Sequence, residues 1–424
     1  MTAATRPRNV TAALLVLWLL IVCAVGAGDA RSRAAGSVTV LATWTGDERR
    51  AFEKVLADFT AETGVSVDYQ GTTALREVLL SEVDAGTSPD IAILPSPGEV
   101  ADYAVRKEAL KSLDGVLDRA QWDSFDPLWI PRFGGHVYAF PVKADLKSVV
   151  WYDAERHRPG DLAALAADGR QWCAGMGDGA ASGWPGTDWI EDILLQQRGR
   201  GVYEEWAAGE LPWTSPEVAG AWKTFRSVFR AGSAKKALGH GFGGAGAGMA
   251  ASPPRCAMEH QGTFIRGAYP GGFGEDFADS ARVLPGADRD STAHEVSADF
   301  AAMFHATPQA ERLMRYLASD RARTTWTTDP PEGAYPPFFV NKTLPDSVHY
   351  PDAVSRRAAA QLGTPGARCL DASDSMPPPL RTAFQRAVLK FLSDPGQDLN
   401  ALLRELDRVR ERERGAPWLP HVCG

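Results

Sequence analysis

Residues 37–94 alternate between two periodicities, and no other stretch limits the fold as tightly. "SVTVLATW" (37–44) is a β-branched, apolar run that reads as a strand. Phe52, Val55, Leu56 and Phe59 then recur at i, i+3, i+4 and i+7, one apolar helical face. Thr45 and Glu48 are spaced as a capping box at its start, and Gly64 is placed to end it. "VSVDY" (65–69) is a second strand. Leu75, Leu79 and Val83 mark a second helix that Gly86 stops. "DIAIL" (90–94) is too apolar for a half-exposed strand and suits a parallel sheet covered on both faces. The order β-α-β-α-β defines a doubly wound α/β unit. Such sheets bind ligands beyond the carboxyl ends of their strands, here near Trp44, the Gln70–Thr73 turn and the Pro95–Gly98 turn.

That unit accounts for a small part of a 424-residue chain, so two domains are expected. A net charge of -8 makes duplex nucleic acid and anionic membrane surfaces poor partners. Arg6 and Arg8 precede "AALLVLWLLIVCAVGA", a basic and then apolar stretch ending in small residues, as in an export signal. Cleavage after Ala27, retention as a membrane anchor, and lipidation of Cys23 in "LIVC" are three open outcomes, followed by a linker to residue 36. Beyond Cys23, the chain has Cys173, Cys256, Cys369 and Cys423. None lies in a metal-ligand spacing, and export favours disulfides. Of three connectivities, Cys173–Cys256 with Cys369–Cys423 closes the smaller loops.

Further along, Gly134-Gly135 reads as a hairpin turn, "SVVWYD" (148–153) and "ADFAAMF" (298–304) as strands, and Thr307-Pro308 as a helix start. "ALGHGFGGAGAGMAASPP" (237–254) reads as a mobile surface loop. Phe384, Val388 and Phe391 fit a helix, as does the charged segment that begins at Leu399. Residues 181–195, "ASGWPGTDWIEDILL", set two tryptophans and three carboxylates side by side. A half-apolar, half-polar guest between Trp184 and Trp189 is the expectation; Asp188 with Glu191 as a helix cap is the alternative.

Several segments in order resemble the extracellular solute-binding proteins of ABC sugar importers, the large type with maltose- and α-glucoside-binding members. They are "TWTGDERRAFEKVLADFTAETGVSVDY", "SPDIAILPSPG", "PVKADLKSVVWYD", "ASGWPGTDWIEDILL", "EHQGTFI", "ADFAAMF", "MRYLAS", "VNK" and "DASDSMP". One departure is Glu295-Val296-Ser297-Ala298, where that subgroup usually carries a glycine-rich approach to its Asp-Phe strand. The resemblance implies an α/β fold of two lobes around a ligand cleft, with chain crossings near 143–148, 293–299 and 337–344. Lobe one would hold residues 37–145 plus 299–338, and lobe two 146–298 plus 339–424. It implies a monomer that delivers an oligosaccharide to ABC permease subunits, needs no cofactor or metal, and is tethered at the membrane through its N-terminus.

A sugar presents apolar C–H faces, which indole rings cover, and hydroxyls, which charged and amide groups pair. By position and by the resemblance, the expected ligand set is Trp44, Asp90, Lys143, Asp145, Trp151, Trp184, Thr187, Asp188, Trp189, His260, Gln261, Asp299, Asn341 and Asp374. Structural roles stand beside these: Asp90 as a strand start, His260 as a packed core residue, Asp371 and Asp374 as turn residues. A sensor or interaction module of the same fold is the alternative function. A glycosidase ranks third, because Asp188, Glu191 and Asp192 share one segment and no G-x-S-x-G, H-E-x-x-H or P-loop is present.

Overall fold

The structure, a computed structural model, describes residues 36–271, 273–331 and 334–424. The segment read from sequence as an export signal, with Cys23, lies outside the described residues. β1 (Ser37–Ala42), α1 (Gly46–Thr63), β2 (Ser66–Gly71), α2 (Leu75–Ala85) and β3 (Ile91–Leu94) form the doubly wound unit, with β1 between β2 and β3 and all three parallel. Phe52, Val55, Leu56 and Phe59 are buried, as the spacing predicts. Gly64 (φ 73°) and Gly86 (φ 71°) follow the two helices in the left-handed region. The Thr45 side chain makes no capping hydrogen bond, and the Glu48 carboxylate accepts from Lys143 instead of closing a capping box. α3 (Pro97–Ala101) follows β3 at the carboxyl end of the sheet.

A hairpin of β4 (Arg132–Phe133) and β5 (His136–Val137) turns at Gly134-Gly135. β6 (Ala139–Leu146) then leads out of lobe one. In lobe two, β7 (Val149–Asp153) lies between β8 (Met258–His260) and β9 (Glu275–Asp279) in an antiparallel sheet. β10 (His294–Met303) returns to lobe one. One edge of β10 pairs first with β11 (Arg368–Leu370) and then with β3, while its other edge pairs with β6 throughout. The two crossings are therefore hydrogen-bonded neighbours. The register shifts between Asp299 and Phe300.

Helices Trp184–Ala207, Pro216–Val228, Pro378–Ser393 and Leu399–Arg412 build lobe two around an aromatic core. Trp206 and Trp213 meet at 4.9 Å, Trp213 and Phe384 at 4.7 Å, and Trp222 and Phe391 at 5.0 Å. Most of the chain's tryptophans are consumed in such packing rather than offered to a ligand. Disulfides join Cys173 to Cys256 and Cys369 to Cys423. The glycine-rich stretch 237–254 is not a plain loop: it holds helical turns at Phe242–Ala245 and Gly246–Gly248. A Cβ on Gly248 would lie 2.3 Å from Cys256 Sγ, so glycine there serves close packing under the disulfide. Helix Trp184–Ala207 begins before Asp188, which is therefore not its cap.

Candidate functional site

A cleft opens where β1, α1 and helix Asp320–Thr327 of lobe one face the turn Thr263–Ala268 of lobe two, with β6 as its floor. Lobe one contributes Trp44, Asp47, Glu48 and Trp326. The Trp44 ring packs edge-on against Phe52 at 4.8 Å and Trp326 at 5.3 Å, which fixes its orientation. Its Nε1 donates to Asp299 Oδ2 at 3.3 Å. Lobe two contributes Thr263, Phe264 and Arg266, and the chain near the third crossing adds Tyr335 and Phe338.

Lys143 governs the floor. Its Nζ lies 2.7 Å from Glu48, 3.5 Å from Asp299 and 3.9 Å from Asp145, and 5.3 Å from the Trp44 ring centre. Burial disfavours its charge, but these three carboxylates more than compensate and raise its pKa. Asp145 accepts from the Thr263 hydroxyl at 2.7 Å. Burial pushes the Asp145 carboxyl up to about 6, against the pull of Lys143 and Thr263. Burial likewise raises Asp299. The other cation, Arg266, is committed: it pairs with Glu275 at 2.7 Å and Asp352 at 3.3 Å, donates to Ser355 at 2.6 Å, and lies 3.9 Å from the Tyr335 ring centre. The cleft thus combines indole and phenyl surface with carboxylate acceptors, and neither of its cations is free of an acidic partner.

Of the residues expected from sequence, Trp44, Lys143, Asp145 and Asp299 come together here. Trp184 sits beside the cleft at the rim of lobe two, half-buried, its Nε1 donating to Asp178 at 2.8 Å and its ring 5.8 Å from that of Phe264. Trp189 does not join it. Five positions along a helix separate two side chains by roughly 140°, so Trp189 points into the core against Trp172, Phe229 and His260. Trp151 is also buried and donates to the Gln261 carbonyl at 2.8 Å. His260 is fully enclosed and pairs with Asp192 at 2.8 Å. Thr187 caps back to the Trp184 carbonyl at 2.8 Å. Asp188 lies 2.9 Å from Lys147, beneath the crossings rather than in the cleft. Asp374 pairs with Arg381 at 3.2 Å, and Asn341 donates to Ser124 at 2.8 Å. Asp90 accepts from the Thr39 N–H at 2.9 Å, at the amino end of β3 and so at the opposite end of the sheet.

Sequence reasoning missed Glu48, Thr263, Arg266, Trp326 and Tyr335 as cleft residues. Glu48 has a local helix-capping explanation that conceals its reach to β6. Thr263 and Phe264 lie inside "EHQGTFI", where only the His-Gln pair drew attention. Trp326 and Tyr335 come from a segment whose approach to Trp44 is purely tertiary.

Residues 44–324 match the family model of bacterial extracellular solute-binding proteins. The osmoprotective compounds-binding protein GgtB of Synechocystis sp. is 31% identical over 420 residues, covering 93% of this chain and 98% of GgtB. The α-glucosides-binding periplasmic protein AglE of Rhizobium meliloti is 32% identical over 322 residues, covering 68% of this chain and 70% of AglE. Among solved structures, the bacterial solute receptor AcbH superposes with a TM-score of 0.74 at 16% identity, covering 90% of this chain and 98% of the receptor. A chitin oligosaccharide binding protein gives 0.72 at 16% identity, covering 89% and 98%. These likenesses establish the two-lobe binding-protein fold. Together with a matching family model that spans most of the described residues, they place the chain among the bacterial extracellular solute-binding proteins.

Proposed function

We propose that the protein captures a short, uncharged sugar or sugar-like polyol in this cleft and delivers it to the permease of an ABC importer. The observation that carries the reading is the pairing of the Trp44–Trp326 wall with a carboxylate-rich floor. The rings suit apolar sugar faces, and Glu48, Asp145 and Asp299 suit hydroxyl donors. An anionic ligand finds no cation free to receive it. The names of GgtB and AglE agree in kind, since both bind small solutes. We assign the lobes as 37–145 plus 299–338 and 146–298 plus 339–424, with Trp44, Glu48, Lys143, Asp145, Asp299 and Trp326 as the ligand set and Trp184 at its edge. A tether at the N-terminus and the absence of turnover belong to the same proposal.

Calorimetric titration with neutral mono- and disaccharides, α-glucosides and their uronate counterparts tests it. A neutral sugar at a hundredfold excess over its Kd should stabilise the fold by about 2.7 kcal/mol through mass action. Binding of uronates in preference to neutral sugars, or no heat and no melting shift with any sugar, refutes the reading.

A further inference from the structure

Just beyond β6 and at the start of β10, lobe two buries ionisable groups that the cleft does not use. Lys147, Asp188, Glu191, Glu295 and Asp371 are each 5% exposed or less. Asp188 and Glu191 come from the first turns of helix Trp184–Ala207, Glu295 from β10, and Asp371 from the N-cap of the short helix Ala372–Ser375. Lys147 Nζ lies 2.9 Å from Asp188 and also donates to Asp371. Asp371 further accepts from the Ser373 hydroxyl at 3.0 Å and the Asp374 N–H at 2.8 Å. Oxygens of Asp188, Glu295 and Asp371 lie within 4.8 Å of one another, a spacing that suits a metal ion, but the Lys147 ammonium already serves as the cation between Asp188 and Asp371.

The two glutamates remain uncompensated. Glu191 Oε2 accepts from the N–H groups of Ala372 at 2.7 Å and Ser373 at 3.1 Å. Its Oε1 meets no donor, and the charge of the neighbouring Asp371 carboxylate disfavours a second charge there. Neighbouring ionised carboxylates are all acceptors and repel one another, a conflict that protonation removes. Glu295 is fully buried and neither of its oxygens has a partner. Four carboxylates and one ammonium would sum to minus three in the interior, a charge that protons relieve at far lower cost than burial of bare anions. The other groups packed nearby are engaged: Asp374 with Arg381, Asp192 with His260, and the Tyr203 hydroxyl with the Leu370 carbonyl. Burial, and then the neighbouring carboxylates, drive both glutamates well above the ordinary carboxylate range.

We propose that this cluster is a proton store: Glu191 and Glu295 are neutral carboxylic acids at physiological pH, and the root of the crossing strands depends on their staying protonated. A carboxyl whose pKa is raised by folding contributes most below its unfolded value and loses that contribution as pH rises through the folded one. Stability should therefore fall on the alkaline side. Glutamine copies the neutral acid, with an amide N–H in place of the acid proton.

The test is thermal unfolding of the full chain between about pH 6 and about pH 9, with chelator or with added Ca²⁺, Mg²⁺ or Mn²⁺, alongside infrared spectra of the folded protein. The wild-type midpoint should fall by about 3–6 °C across that range, and that of Glu295→Gln by less than half as much. A protonated-carboxyl carbonyl band should be present in the wild type and diminished in Glu295→Gln. If Glu295→Gln does not fold, Glu191→Gln and the wild-type infrared band carry the same test. Equal pH dependence in variant and wild type together with no such band overturns the proposal. So does a metal that raises the wild-type midpoint but not that of the variant, since the compensating charge would then be an ion.

Discussion

At Lys143 three carboxylates converge on one ammonium, and the neighbouring Asp145 is poised near neutrality. Burial holds Asp145 at about 6, so at pH 7 its carboxylate accepts hydrogen bonds from hydroxyls, and acidification protonates it and weakens that acceptance. Ligand affinity should decline as pH drops through about 6 in calorimetric titrations, whereas Asp145→Asn should be weaker at pH 7 and nearly flat across the range. A ligand curve that stays level from pH 7 to pH 5 in the wild type would remove Asp145 from the set. Single residues were legible in sequence where the backbone alone carries them to the cleft. Residue type alone was not enough: Trp44 stands two residues past β1 and Lys143 with Asp145 alternate on β6, but Trp189 was misplaced because a helix turns it away from Trp184.

At the scale of elements, sequence periodicity read the β-α-β-α-β unit and most terminal helices correctly, since each is set by local spacing of apolar residues. It missed the helical turns within 237–254, where Gly246 and Gly248 serve close packing, and it missed Glu48 and Trp326, which line the cleft only once α1 and helix Asp320–Thr327 lie side by side. The cysteine pairing followed from loop lengths, and its energetic weight follows likewise. Cys369–Cys423 closes 54 residues and ties the chain's end to β11, so replacing both cysteines with alanine should cost about 4 kcal/mol in urea unfolding. A different contact, between α3 and the chain at Met376, spans the two proposed lobes. A Cβ on Gly98 of α3 would lie 2.2 Å from the Met376 carbonyl of lobe two, a backbone atom with little room to retreat. Gly98→Ala should push the lobes apart on that side, lower ligand affinity roughly tenfold, an energy of about 1.4 kcal/mol, and enlarge the radius of gyration measured by solution scattering.

For the molecule as a whole, ligand capture is a matter of two walls meeting a guest that neither holds alone. Saturating sugar should contract the scattering profile of the wild type and leave that of Gly98→Ala less changed. The crossing strands determine what such a motion can be. β10 is not a loose tether: it pairs with β6 from Val296 to Ala302 and with β11 and β3 on its other edge at either end, and its register with β6 shifts between Asp299 and Phe300. In the proposed closure rotation would be seated at that step, where Asp299 also receives the Trp44 indole and pairs with Lys143. With Asp299 in the proposed ligand set, pivot and grip would be geared through one carboxylate, so that the angle between the halves and the tightness of their hold could not be tuned separately.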